Sequence, residues 1–127
     1  MSGSDRATTC PFCDRNDAIG GNEHAYMLYD LNPVTPGHLL VVTVRHVADF
    51  FATTRVEREA MLQLVDEAKM MLDRTRAPSG YNLGVNVGAA AGQTIMHVHV
   101  HVIPRYPGDT PNPRGGVRGV ISARQSY

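Results

Sequence analysis

The segment His97-Val98-His99-Val100-His101-Val102-Ile103 constrains this chain more than any other. It lies within a run from Ile95 to Pro104 that alternates at period two, the pattern of a strand with one face in the core. The valines share one face and belong inside. The three histidines share the other, and three imidazoles do not line up within a core without partners, so that face opens onto a site. Two chemistries use such a row. Alternate histidines can converge on zinc, or a neutral imidazole can act as a nucleophile near pH 7.

The surrounding sequence supplies what that strand packs against. His24 to Asp30 is apolar with tyrosines and reads as a strand. Asn32-Pro33-Val34-Thr35-Pro36-Gly37 is a turn. Leu39 to Val44 is a continuous branched run, as in a buried strand, and Tyr81 to Val87 reads as another strand. Thr54 followed by Glu57 forms a capping box. From there Val56, Ala60, Met61, Leu64, Val65, Ala68 and Leu72 recur at helical spacing, predicting one long helix that ends near Ala77, before Pro78 and Gly80. Gly88 to Gly92 is a small-residue loop. The expected fold is α+β, with an antiparallel sheet of about five strands around a single long helix. At 127 residues one domain is expected. Residues 1–9 are polar and read as a flexible terminus, 10–105 as the domain, and 106–127 as an extended or loop-like tail rich in Pro, Gly and Arg.

Charge and hydropathy exclude several roles. Twelve basic residues balance twelve acidic ones, which argues against a broadly basic nucleic-acid or membrane surface. No run of about 18 apolar residues exists to span a membrane, and Met1 to Thr9 lacks the apolar stretch of a signal peptide. A cytoplasmic location is therefore expected. Cys10-Pro11-Phe12-Cys13 suits a redox or metal-binding pair better than a structural disulfide in that setting. A redox pair should follow a strand and open a helix, and no strand precedes this one. A tetrahedral zinc would need two further ligands.

The stretch GYNLGVNVGAAAGQTIMHVHVHVIPR, residues 80–105, resembles the signature of the histidine triad (HIT) family: three alternating histidines followed by apolar residues, preceded by an Asn, a Gly-rich loop and Gly-Gln-Thr. The likeness extends upstream through Tyr29-Asp30-Leu31-Asn32-Pro33 and Pro36-Gly37-His38-Leu39-Leu40-Val41-Val42. It implies that His99 attacks the α-phosphorus of a nucleotide to form a covalent nucleotidyl-histidine, which water hydrolyses. His101 then polarises the phosphoryl oxygens, and His38 supports the site from the neighbouring strand. By the same resemblance Asn86, Gly92, Gln93 and Thr94 meet the phosphate, Asp30 the ribose, and Leu31 the base. Arg105 is positioned to meet further phosphates, while Arg114 and Arg118 suit either that role or a surface tail.

The resemblance also extends to a zinc-containing subgroup, which implies a structural Zn²⁺ on Cys10, Cys13, His46 and His97, leaving His99 and His101 for chemistry. No organic cofactor is implied. The third triad position is His101, where related nucleotidyltransferases typically carry glutamine, and this favours hydrolysis over transfer. The absence of tryptophan departs from the nucleoside phosphoramidases and points to the dinucleoside polyphosphate hydrolases, which release AMP. An adenosine 5′-phosphoramidase, a non-catalytic nucleotide sensor and a hydrolase with zinc on all three triad histidines are the competing readings. Relatives make one continuous sheet across a two-fold axis, so a homodimer is expected. No membrane or nucleic-acid partner is expected.

Overall fold

The computed structural model describes residues 10–127; the flexible terminus expected at residues 1–9 lies outside the described residues. Strands β1 (Gly20–Gly21), β2 (Ala25–Tyr29), β3 (Leu39–Thr43), β4 (Gly80–Gly84) and β5 (His99–Arg105) form one sheet in the order β1-β2-β3-β5-β4. Every neighbouring pair is antiparallel. The long helix α1 (Arg55–Thr75) connects β3 to β4. This is the expected α+β architecture, with the histidine strand inside the sheet.

The register of β3 against β5 explains why Leu39 to Thr43 is buried throughout. Leu39 and Val41 pair with Val102 and Val100, and this face packs on Met61, Leu64, Ala68 and Leu72 of α1. Leu40 and Val42 pair with His101 and His99, and their face packs with Phe12, Tyr26 and Leu28. A strand covered on both sides reads as an unbroken apolar run, whereas β5 alternates because its second face carries the site.

Helix α1 begins with the expected capping box: the Thr54 hydroxyl accepts from the Glu57 N–H at 3.1 Å, and the Thr54 N–H donates to Glu57 Oε1 at 2.9 Å. Its buried positions are Glu57, Ala60, Met61, Leu64, Ala68 and Leu72. Val56, placed on the inner face by spacing alone, is instead 51% exposed. Glu57 goes inward because its carboxylate is satisfied there by Arg45 Nε and Nη2, both at 2.8 Å. In the turn between β2 and β3, Gly37 fits against the last turn of α1 at φ +91; a Cβ would stand 3.0 Å from Leu72 Cδ2 and 3.4 Å from Pro104 Cγ.

Three boundaries depart from expectation. The ladder of β5 starts at His99 and not at Ile95, because the Val98 N–H donates to the Val47 carbonyl at 2.9 Å and His97 turns into the interior. Strand β4 ends at Gly84, the partner of His101, and residues 85–87 leave the sheet toward the loop opened by Gly88. The tail is not merely extended: it forms 3₁₀ turns at Gly116–Val120 and Ser122–Arg124. Among the described residues no helix is long and apolar enough to cross a membrane.

Candidate active site and metal centre

The outer face of β5 opens into a cleft of about 420 Å³. His99 and His101 rise from its floor with ring centroids 5.2 Å apart. His38, at the start of β3, reaches in beside them. Asp30, Leu31, Asn86, Gly92 and Thr94 also line the cleft, so eight of the ten residues expected to do chemistry or bind nucleotide converge on one place. Apolar walls that the sequence did not single out come from Phe12, Leu28, Leu40 and Ile95. The Phe12 ring lies 5.0 Å from that of His99. Its position between the two cysteines was the available signal, legible only once that segment is known to fold over the histidines.

Backbone groups set the imidazole tautomers. His38 Nδ1 accepts from the Val34 N–H at 3.2 Å, so its Nε2 carries the proton and donates to His101 Nδ1 at 2.9 Å. His101 thereby keeps its own proton on Nε2. His99 Nδ1 donates to the His97 carbonyl at 2.8 Å, leaving a lone pair on Nε2. The result is an imidazole whose neutral tautomer keeps its nucleophilic nitrogen on Nε2, next to another with an N–H donor. Burial, reinforced by His99 and His38, pushes His101 down to about 4, and burial lowers His38 against the opposing pull of Asp30. The Asp30 carboxylate sits 3.5 Å from His38 Nε2. His101 is therefore a neutral hydrogen-bond donor at pH 7 and not an acid.

Gln93 and Arg105 stand apart from the cleft. Gln93 is 4% exposed, and its side chain is spent on backbone: Oε1 accepts from the Gly88 N–H at 2.9 Å, and Nε2 donates to the carbonyls of Ala48 at 2.6 Å and Ile95 at 3.1 Å. It pins the loop that presents Gly92 and Thr94. The Arg105 guanidinium is held by both carboxylate oxygens of Asp109, at 2.8 and 2.7 Å, and by Asn82 Oδ1 at 2.6 Å. The tail cations Arg114 and Arg118 lie over the Tyr127 ring at 5.9 and 4.6 Å.

Behind the cleft Cys10, Cys13, His46 and His97 bring their donor atoms within 4.8 Å of one another. Sulfur–nitrogen separations are 3.3 Å for Cys10 to His97, 3.1 Å for Cys13 to His46 and 3.7 Å for Cys13 to His97. A tetrahedral zinc with Zn–S of about 2.3 Å and Zn–N of about 2.0 Å needs S···N edges of about 3.5 Å. His97 Nε2 donates to the Thr43 carbonyl at 2.8 Å, which turns the Nδ1 lone pair toward the sulfurs, the outer hydrogen bond typical of a ligating histidine. His97 is fully buried. The donor set fits a metal ion, and these residues can hold one.

Residues 14–108 match the HIT domain family. The chain is 39% identical over 105 residues to an uncharacterized HIT-like protein of Mycoplasma genitalium, covering 78% of this chain and 74% of that protein. It is 36% identical over 85 residues to an AP-4-A phosphorylase of Mycobacterium tuberculosis, covering 66% of this chain but only 44% of the phosphorylase. The crystal structure of a Zn-bound histidine triad family protein from Mycobacterium smegmatis superposes with a TM-score of 0.74 at 28% identity, covering 84% of this chain and 81% of that one. With the family matched over most of its length, and with His99 and His101 on the floor of the cleft and His97 buried behind it, this chain belongs to the histidine triad family.

Proposed function

We propose that this protein hydrolyses adenine dinucleotides of the diadenosine polyphosphate class at the α-phosphorus, through a covalent nucleotidyl-His99, and releases AMP. The observation that carries the reading is the tautomer chain, which leaves His99 Nε2 with a free lone pair beside the His101 Nε2–H. In the first step the lone pair bonds to phosphorus while the bond to the bridging oxygen breaks, and that oxygen departs with the electron pair as a phosphate anion. The His97 carbonyl, accepting from His99 Nδ1, stabilises the positive charge on the ring. His101 donates to a non-bridging oxygen. Water then displaces His99, yielding AMP and a proton to solvent.

A neutral His101 favours this substrate class. A phosphoanhydride leaves as a stable anion without protonation, whereas an amine from a phosphoramidate needs an acid. The AP-4-A phosphorylase relative supports the same class. Asp30 meets the ribose and Leu31 the base, Asn86, Gly92 and Thr94 surround the phosphate, and Gln93 acts by holding the loop. We assign Cys10, Cys13, His46 and His97 a structural Zn²⁺, which would tie the N-terminal segment to the sheet and position the His97 carbonyl. A homodimer is supported by the position of β4 at the edge of the sheet among the described residues and by Leu62 and Met70, 64% and 63% exposed on α1.

The test is to mix the protein with diadenosine polyphosphate labelled at the α-phosphorus and quench in base. Wild type should carry acid-labile label. His99→Ala should carry none and lose roughly 10⁴-fold or more in turnover, with AMP binding retained. Turnover that persists in His99→Ala overturns the mechanism. AMP binding without turnover by the wild type would make the protein a nucleotide sensor instead.

A further inference from the structure

The histidine face of β5 continues past His101 to Ile103, and there the chain's own tail closes over it. Val117 and Val120, on the turn Gly116–Val120, combine with Ile103 and Asn82 to line a second cavity of about 350 Å³. This cavity shares His38, His101 and Asn86 with the nucleotide cleft, but His99 lines only the cleft. The tail is held in place by its own hydrogen bonds. Gln125 Nε2 donates to the carbonyls of Asn112 and Arg114 at 3.1 and 3.2 Å, and Gly115, at φ +87, passes against the Gln125 backbone where a side chain would collide.

We propose that this second cavity is the subsite for the distal base of the leaving nucleotide. The inference rests on the function proposed above. An in-line displacement expels its leaving group on the side opposite the attacking nitrogen. Of the two cavities that meet at His38 and His101, only the second lacks His99. Among the described residues no lysine or arginine lines it; valine, isoleucine and asparagine side chains do. Such a lining suits an uncharged planar ring with polar edges, and not the phosphates of the bridge. The tail thus turns a mononucleotide cleft into a two-base site, with Val117 and Val120 as specificity residues that touch the far end of the substrate.

Binding separates this proposal from the catalytic one. Calorimetry would compare a non-hydrolysable, methylene-bridged diadenosine triphosphate with a methylene-bridged ATP, which carries the same three phosphates and no second nucleoside. Wild type should bind the dinucleoside about tenfold tighter, the effect of withdrawing on the order of 60 Å² of apolar surface from water. In Val117→Ser/Val120→Ser that advantage should shrink to about twofold, while affinity for AMP is unchanged. The two valines are 62% and 78% exposed, so the substitutions leave the core intact, and serine adds no charge to repel phosphate. Equal affinity of wild type for both analogues, or an advantage that survives in the double variant, would overturn the subsite. A dinucleoside advantage without label trapping on His99 would instead fault the mechanism and leave the subsite standing.

Discussion

Replacing Gln93 by alanine should act first on stability and only through it on turnover. The side chain makes three hydrogen bonds, all to backbone groups of Ala48, Gly88 and Ile95, from a position 4% exposed. Each is worth about 1 kcal/mol net, so their joint loss costs about 3 kcal/mol. The entropy of unfolding of a chain this long is about 0.27 kcal/mol/K near its midpoint, which converts that loss into a fall in Tm of roughly 11 °C. Differential scanning calorimetry reads the fall directly. Because the same side chain holds the loop carrying Gly92 and Thr94, kcat should drop as well, and glutamate should not rescue it, since it offers no donor to the two carbonyls. A phosphate ligand would behave in the opposite way, losing kcat/KM at constant Tm. A Gln93→Ala protein that melts within 2 °C of wild type, by this slope less than about 0.6 kcal/mol, would refute the assignment.

Two other perturbations probe the frame of the site. Cys10→Ser/Cys13→Ser should lower bound zinc, measured by elemental analysis, from about one ion per chain to less than about 0.1. It should also lower Tm, because the segment that carries Phe12 over His99 loses its anchor; full zinc content in the variant would exclude the assigned site. Glu57, held down to about 2 chiefly by its hydrogen bonds to Arg45, should make stability depend on acidity. The folded carboxylate resists protonation and the unfolded one does not, so its contribution is complete above pH 4.5 and disappears as pH falls toward 2. After allowance for the half-exposed guanidinium of Arg45 that contribution is about 2 kcal/mol. Urea unfolding across this range should show the wild type losing it and Glu57→Gln lacking it from the start; identical pH profiles would exclude Glu57 as the source.

Much of this architecture is local and therefore legible in the chain. Period two from His99 to Ile103 places His99 and His101 on one face and the valines on the other, because consecutive strand residues point to opposite sides. Thr54 and Glu57 mark the start of α1, because a capping box needs only a four-residue span. The family signature draws His38, His99, His101, Asp30 and Asn86 into one site before any coordinates are known. Tertiary structure alone decides whatever depends on partners distant in sequence. Glu57 displaces Val56 from the inner face because Arg45 arrives from the end of β3. Gln93 is consumed by Ala48, 45 residues away, and Arg105, already paired with Asp109 nearby in the chain, is fixed by Asn82, 23 residues away. The tautomers follow from the carbonyl of His97 and the N–H of Val34, groups that every sequence possesses and no residue pattern reports. The tail's cavity exists because Val117 and Val120 come to rest above Ile103. Side-chain periodicity encodes which face is buried; which polar group a buried side chain meets is encoded only by where the chain returns.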